Sequence, residues 1–298
     1  MSDTSKTLIV IAGPTASGKT VAGIQLAQQL GTEIISADSR QFYREMAIGT
    51  AKPTPDELAQ AKHHFVNSHG IIDSFNVGDF EQQGQALLDE LFKTHDNVIM
   101  VGGSGLYIKA ICEGFDQLPD VDPAIRERLN TELVEEGLSH LQEKLKHADP
   151  DYYNKVDINN PQRIIRALEV FESSGQPFSL FRKADFRKRS FNIIKYGLLW
   201  PRDVLYNRIN QRVDLMIEQG LVDEVKSLIP YRHLNALNTV GYSEIFDYLD
   251  GKIDLPTAIA AIKQNTRRFA KRQMTWFNKD KDMNWLSPGE LSQLYRND

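Results

Sequence analysis

The chain has 298 residues, of which 41% are hydrophobic and 25% charged, and a net charge of −5. That composition excludes a disordered chain and provides apolar material for one large domain or two modest ones. The acidic balance argues against a surface covered in nucleic-acid-binding charge but leaves room for a local basic patch.

The first element is a continuous apolar run, Thr7 to Ala12, which predicts a strand buried on both faces of a parallel sheet. No cleavage-like site follows it, so it is read as a strand and not as a leader. No stretch of the sequence approaches the length of a membrane span, and the expectation is a cytoplasmic protein. The single cysteine, Cys112, excludes an internal disulfide and a cysteine-rich zinc site and reads as a small core residue.

After the first strand comes Gly13-Pro14-Thr15-Ala16-Ser17-Gly18-Lys19-Thr20, which fits G-x-x-x-x-G-K-[S/T], with a helix predicted from about Lys19 to Leu30. Glycines let backbone N–H groups turn inward around an anion, the helix start adds partial positive charge, and Lys19 adds a point charge. Thr20 is placed to ligate a Mg2+ ion bridging phosphate oxygens. The motif alone leaves the phosphate unspecified: ATPases, GTPases, kinases and diphosphate-releasing transferases all use it.

Further strands are expected at Glu33 to Ser36 and Val98 to Val101, with a helix from about Glu81 to Phe92 between them. The third strand runs into Gly102-Gly103-Ser104, where a nucleotide hydrolase would usually hold a metal-ligating Asp. The nearest acidic candidate is Asp38, after the second strand, suited to a metal or to acting as a base. From Asp122 to about Gly175 the chain is helical, charged and without strand-like runs, and the sheet resumes at Ile193 to Leu199. Long helices are expected over Val204 to Gln219 and Pro256 to Phe277, with a last strand near Met283 to Leu286. The fold class is therefore α/β: a P-loop parallel sheet flanked by helices, built from residues 1–114 and 191–298, with a helical insertion at 115–190.

Several segments together resemble the tRNA dimethylallyltransferase family: GPTASGKT, ISADSRQFYREMAIGTAKPT (Ile35 to Thr54), VGGSGLYIKA (Val101 to Ala110), NPQRIIRALEVFESSGQP (Asn160 to Pro177), RINQRVDLMIEQGLVDEV (Arg208 to Val225), TVGYSE (Thr239 to Glu244) and QNTRRFAKRQMTWF (Gln264 to Phe277). The resemblance implies transfer of a dimethylallyl group from dimethylallyl diphosphate to N6 of the adenosine just 3′ of the anticodon. It implies that the P-loop holds the diphosphate leaving group, that Asp38 is the general base, and that Thr15 and one or both of Arg208 and Arg212 act at the departing oxygen. It also implies contacts to the tRNA anticodon stem-loop from Asp38, Ser39, Arg40, Gln41, Ser104, Arg126, Gln162, Arg163, Ile164, Ile165, Arg166, Gly241, Tyr242, Arg268, Lys271, Arg272, Gln273 and Trp276. The basic and aromatic helix around Arg267 to Phe277 suits a single-stranded loop, where cations meet phosphate and rings stack on bases. The expected enzyme is a monomer of the bacterial type, because one cysteine cannot build the zinc finger of eukaryotic members.

The sequence departs from the family where Ser104 replaces the usual Thr and in KHHFVNSHG (Lys62 to Gly70). His63 and His64 are expected to be structural, since neighbours on a strand point to opposite faces. The rivals are an adenylate isopentenyltransferase acting on a free nucleotide, a small-molecule P-loop kinase, and a non-enzymatic RNA-binding protein using the loop as a nucleotide switch.

Overall fold

The computed structural model describes residues 6–116, 118–182 and 188–295. The chain divides into two compact units, one formed by Met1–Glu113 with Lys188–Asp298 and the other by Gly114–Arg187.

The larger unit begins with β1 (Thr7–Ala12), α1 (Lys19–Leu30), β2 (Ile34–Ser36), α2 (Pro55–Gln60) and β3 (His63–His64). α3 (Val77–Leu91), β4 (Asn97–Gly102) and α4 (Gly105–Glu113) complete its first segment. α3 starts four residues before the sequence expectation, because Asn76 accepts hydrogen bonds from Gly78 N and Asp79 N while the Asp79 side chain reaches back to Asn76 N. This reciprocal capping satisfies N–H groups that the first turn of a helix leaves without partners.

The smaller unit is all helical among its described residues: α5 (Pro123–Glu135), α6 (Leu138–Ala148), α7 (Pro150–Tyr153), α8 (Pro161–Ser174) and α9 (Phe178–Phe181). Its core includes Leu129, Leu141, Leu145, Ile164, Ile165 and Leu168, all essentially inaccessible. Residues 183–187, which fall inside the expected insertion, lie outside the described residues.

The larger unit resumes with β5 (Asn192–Leu198), α10 (Arg202–Glu218), α11 (Leu221–Ser227), α12 (Tyr242–Leu249), α13 (Leu255–Phe277), β6 (Met283–Leu286) and α14 (Pro288–Leu294). Its strands form one six-stranded parallel sheet in the order β3-β2-β4-β1-β5-β6. Alternate residues of β1 serve opposite faces: Leu8, Val10 and Ala12 pack with α3 and α4, whereas Ile9 and Ile11 pack with α1. This double burial explains the unbroken apolar run in the sequence. The register sets Ala12 beside Gly102 and Val101 beside Ser36, so the chain leaves β1, β2 and β4 at one level of the sheet edge.

Beyond that edge, the loop after β2 is tied to α11. Glu224 accepts from the backbone N–H groups of Ala47 (3.0 Å), Ile48 (2.7 Å) and Gly49 (3.0 Å), and from the Tyr242 hydroxyl (2.7 Å). A Cβ on Gly49 would lie 2.5 Å from the Tyr242 ring, so the loop lies directly against the start of α12. Replacing Glu224 by Ala leaves three N–H groups and a hydroxyl without their acceptor. That substitution is expected to lower unfolding free energy by about 2–3 kcal/mol, measured by urea denaturation, and to speed amide exchange at residues 47–49.

Candidate functional site

The loop between β1 and α1 is held in a shape few residues tolerate. Gly13, Ala16 and Gly18 all have positive φ, at 148°, 64° and 91°. A Cβ on Gly13 would come within 3.0 Å of the Leu198 carbonyl oxygen and 3.2 Å of Ser17 Oγ. Ser17 Oγ is buried with no hydrogen-bond partner, an unusual state for an interior hydroxyl. Lys19 folds back, its Nζ donating to Pro14 O at 2.7 Å. Burial pulls the Lys19 ammonium down to about 7, with Asp38 opposing and Arg212 reinforcing that shift.

α10 braces the loop from outside, and its four-residue spacing puts Arg208 and Arg212 on one helix face. Arg208 Nε donates to Ala16 O at 2.8 Å, and its guanidinium lies 4.9 Å from the centre of the Trp200 ring. Trp200 Nε1 in turn donates to Ser17 O at 2.8 Å. Arg212 Nη1 reaches the Thr15 hydroxyl at 3.4 Å. Burial, followed by the charge on Arg208, lowers the Arg212 pKa from its ordinary value. Two guanidiniums and an ammonium therefore converge where the helix start already favours negative charge.

Asp38 enters from the end of β2, the second strand over from β1. Burial raises its carboxyl above the ordinary Asp range, while the Arg40 backbone N–H and the charges of Lys19, Arg40 and Arg212 pull it back. Arg40 N donates to Asp38 Oδ1 at 3.2 Å. Ser104 locks this turn: its N donates to Ala37 O at 3.1 Å, and its Oγ accepts from Ser39 N at 3.0 Å and donates to Ser39 Oγ at 3.2 Å. A Cβ on Gly102 would meet Ala37 O at 2.2 Å. Glycine at the end of β4, where a metal-ligating Asp is usual, is thus what allows the Asp38 turn to close on its neighbour.

The residues expected to touch tRNA divide into several groups. Arg268, Lys271 and Arg272 are exposed on α13, and Trp276 is 42% exposed, its ring so close to Gly105 that a Cβ there would lie 2.2 Å away. Gln162 and Arg163 are exposed in the first turn of α8, while Arg126 and Arg166 are both ion-paired with the buried Glu169 of that helix. Gly241 is the N-cap of α12, with its N bonded to Glu244 at 2.8 Å. Five of these side chains turn inward instead. Ile164 and Ile165 are core residues of the smaller unit, and Tyr242 is fully buried with its hydroxyl on Glu224, so these side chains offer no surface. Gln273 is only 7% exposed and is bonded to the P-loop. Gln41 also works inward, its Nε2 donating to Thr50 O and Ala51 O.

Trp200 and Glu224 were missed because their partners are backbone groups far away in sequence, which no local pattern records. His63 bonds Ala61 O and His64 bonds Glu33, so the two rings do not converge. The Cys112 thiol is buried, which pushes its pKa up to about 12. No group of three or more His, Cys, Asp or Glu side chains suited to a metal occurs among the described residues. No helix among them is long and apolar enough to cross a membrane.

Residues 41–280 match the family model described as IPP transferase. The chain is 55% identical to a tRNA dimethylallyltransferase of Christiangramia forsetii over 97% of this chain and 96% of that one. It is 48% identical to the Cytophaga hutchinsonii tRNA dimethylallyltransferase over 99% and 97% of the two chains. Among solved structures, a tRNA isopentenylpyrophosphate transferase of Bacillus halodurans superposes with a TM-score of 0.71 at 37% identity, covering 97% of this chain and 94% of that one. A eukaryotic dimethylallyltransferase described as acting on tRNA superposes with a TM-score of 0.77 at 27% identity, covering 98% and 76%.

A lysine near 7 must take up a proton when an anion fills the loop. Pyrophosphate affinity is therefore expected to be greatest below pH 7 and to fall as pH rises above it. Calorimetry in buffers of different ionisation enthalpy should register a proton uptake at pH 7 to 8 that is larger in the native protein than in Lys19→Met, whose remaining exchange is that of pyrophosphate itself.

Proposed function

This chain belongs to the IPP transferase family, and from that premise we propose that it transfers the dimethylallyl group of dimethylallyl diphosphate to N6 of the adenosine immediately 3′ of the anticodon in tRNA, releasing diphosphate. The observation that carries the reading is the placement of Asp38, a half-buried carboxylate just after β2 that is held by Arg40 N and whose charge acts on Lys19 and Arg212 of the phosphate-loop site.

In this reaction the allylic C1–O bond breaks, the diphosphate departs with the electron pair, and a C1–N6 bond forms. The N6 proton goes to Asp38. An exocyclic adenine amine is a weak nucleophile, so a positioned base contributes about 10²- to 10⁴-fold. Its burial favours accepting a proton, because desolvation destabilises the carboxylate more than the acid. Charge grows on the leaving oxygen, and the loop N–H groups, Lys19 and an arginine would stabilise it there. We assign that arginine as Arg212: it reaches Thr15, whereas Arg208 spends its Nε on Ala16 O and its face on Trp200. Thr15 then holds its hydroxyl beside the departing oxygen.

The donor set fits a divalent cation, which we assign as Mg2+. The hard oxygen of Thr20 at the start of α1, with Asp38 nearby, suits an ion that takes most of its ligands from phosphate and water. When bound, the ion supplies charge neutralisation at the diphosphate.

The exposed cations of α13 and the helical unit with Arg126, Gln162, Arg163 and Arg166 are proposed to receive the tRNA, with the target adenine extruded toward Ser39, Arg40 and Ser104. One chain supplies every residue invoked, so the working form is a monomer.

Labelled dimethylallyl diphosphate incubated with unmodified tRNA, with AMP or without acceptor should label tRNA alone. Label in AMP would identify an adenylate isopentenyltransferase, and ATP hydrolysis without transfer would identify a kinase or switch. Asp38→Asn is expected to slow single-turnover transfer at least a hundredfold while changing pyrophosphate affinity only a few-fold. The native rate should rise with pH through a midpoint above the ordinary Asp value, and the variant should lose that limb. Arg272→Ala should weaken tRNA binding and reduce by about one the slope of log affinity against log salt.

A further inference from the structure

Gln273 lies on α13 among the basic residues expected to meet RNA, yet it points away from solvent and is 7% exposed. Its Oε1 accepts from Thr15 N at 2.9 Å, and its Nε2 donates to Gly103 O at 3.0 Å. A backbone N–H can only donate and a carbonyl can only accept, so the two partners fix the orientation of the amide. Gly103 leaves the space: a Cβ there would lie 2.4 Å from Nε2.

Each end of this bridge leads to a different part of the reaction centre. Thr15 belongs to the diphosphate loop, and its hydroxyl is met by Arg212. Gly103 precedes Ser104, which is bonded to Ala37 and Ser39 on either side of Asp38. One amide side chain therefore connects the leaving-group cradle with the turn that carries the base.

We infer that Gln273 is a positioning residue that sets the distance and angle between the P-loop and Asp38, and not an RNA contact. This rests on the proposed transfer reaction and deepens it. A displacement of 1 Å between reacting groups costs up to about a hundredfold in rate without weakening the binding of either substrate alone. Few other side chains can serve. Asn is shorter by a methylene, Met and Leu have neither a donor nor a strong acceptor, and ionised Glu sets an oxygen against the Gly103 carbonyl.

The test uses the full chain, with tRNA transcript, dimethylallyl diphosphate and pyrophosphate as probes. Gln273→Met preserves length and volume, and it is expected to lower the single-turnover rate at saturating substrates tenfold or more. The dissociation constants for tRNA and pyrophosphate should change less than threefold. Gln273→Glu separates alignment from packing. Its protonated form restores a donor to Gly103 and an acceptor for Thr15, whereas its ionised form does not. The charged groups around the bridge, Lys19, Asp38, Arg208 and Arg212, are the same in both proteins. The ratio of variant to native rate should therefore climb as pH falls from 8 to 6, although the native rate itself falls as Asp38 protonates. If Gln273→Met does not fold, as judged by circular dichroism and thermal melting, this ratio decides the matter. A native rate in Gln273→Met, a tRNA affinity loss with unchanged saturated rate, or a pH-independent ratio would overturn the inference. Failure of the native protein to modify tRNA would instead sink the proposed reaction.

Discussion

The site depends on positive charge gathered around one loop. Lys19, Arg208 and Arg212 converge on one loop, where burial opposes the ionisation of Lys19 and Arg212, reinforced at Lys19 by Arg212 and at Arg212 by Arg208. A buried cation of this kind is costly unless it is paired or bonded to oxygen. The loop supplies that oxygen from its own backbone: Pro14 O accepts from Lys19 and Ala16 O from Arg208. Those carbonyls fix Lys19 and Arg208 against the loop. Asp38 contributes the only carboxylate that lowers this local potential among the larger influences on Lys19.

That arrangement requires the strand ends to lie close together. Asp38 follows β2 and Lys19 lies beyond the loop after β1, two strands separated by β4, and β4 ends in Gly102 with Gly103 directly after it. A side chain at Gly102 would collide with Ala37 O, and one at Gly103 would collide with Gln273. The same position in a nucleotide hydrolase holds a carboxylate for a metal-bound water. The proposed transfer activates no water, and the space left at Gly102 admits the turn that carries Asp38. The glycine pair suits the proposed alkyl transfer, in which a base lies near the carbon that the diphosphate leaves.

Much of this was legible in the sequence because it was local. The phosphate loop, its flanking strand and helix, and the split of the sheet by a helical segment all leave periodic or compositional marks over neighbouring residues. What stayed illegible was carried by side chain to backbone bonds across long separations. Gln273 and Trp200 reach the P-loop from α13 and from the turn after β5, and no pattern of residue type encodes which carbonyl they meet. Ile164 and Ile165 show the opposite failure. A motif of Gln162 to Arg166 was read as a contact segment, but a helix presents alternate faces, and its apolar pair turned inward while Gln162 and Arg163 remained outside. Residue type within the motif already carried that distinction.

The inward turn of Gln273 bears on how α13 works as a whole. Its exposed cations and its buried amide belong to one continuous helix of 23 residues, Leu255–Phe277. A helix is stiff along its axis, because every turn is fixed by backbone hydrogen bonds to the next. Force applied by a polyanion on Arg268 or Arg272 is therefore delivered to a bridge that touches both Thr15 and Gly103. Sequence proximity of the basic residues to Gln273 then has a physical meaning beyond shared composition. The surface proposed to meet RNA and the bridge proposed to align the reaction centre are faces of the same helix.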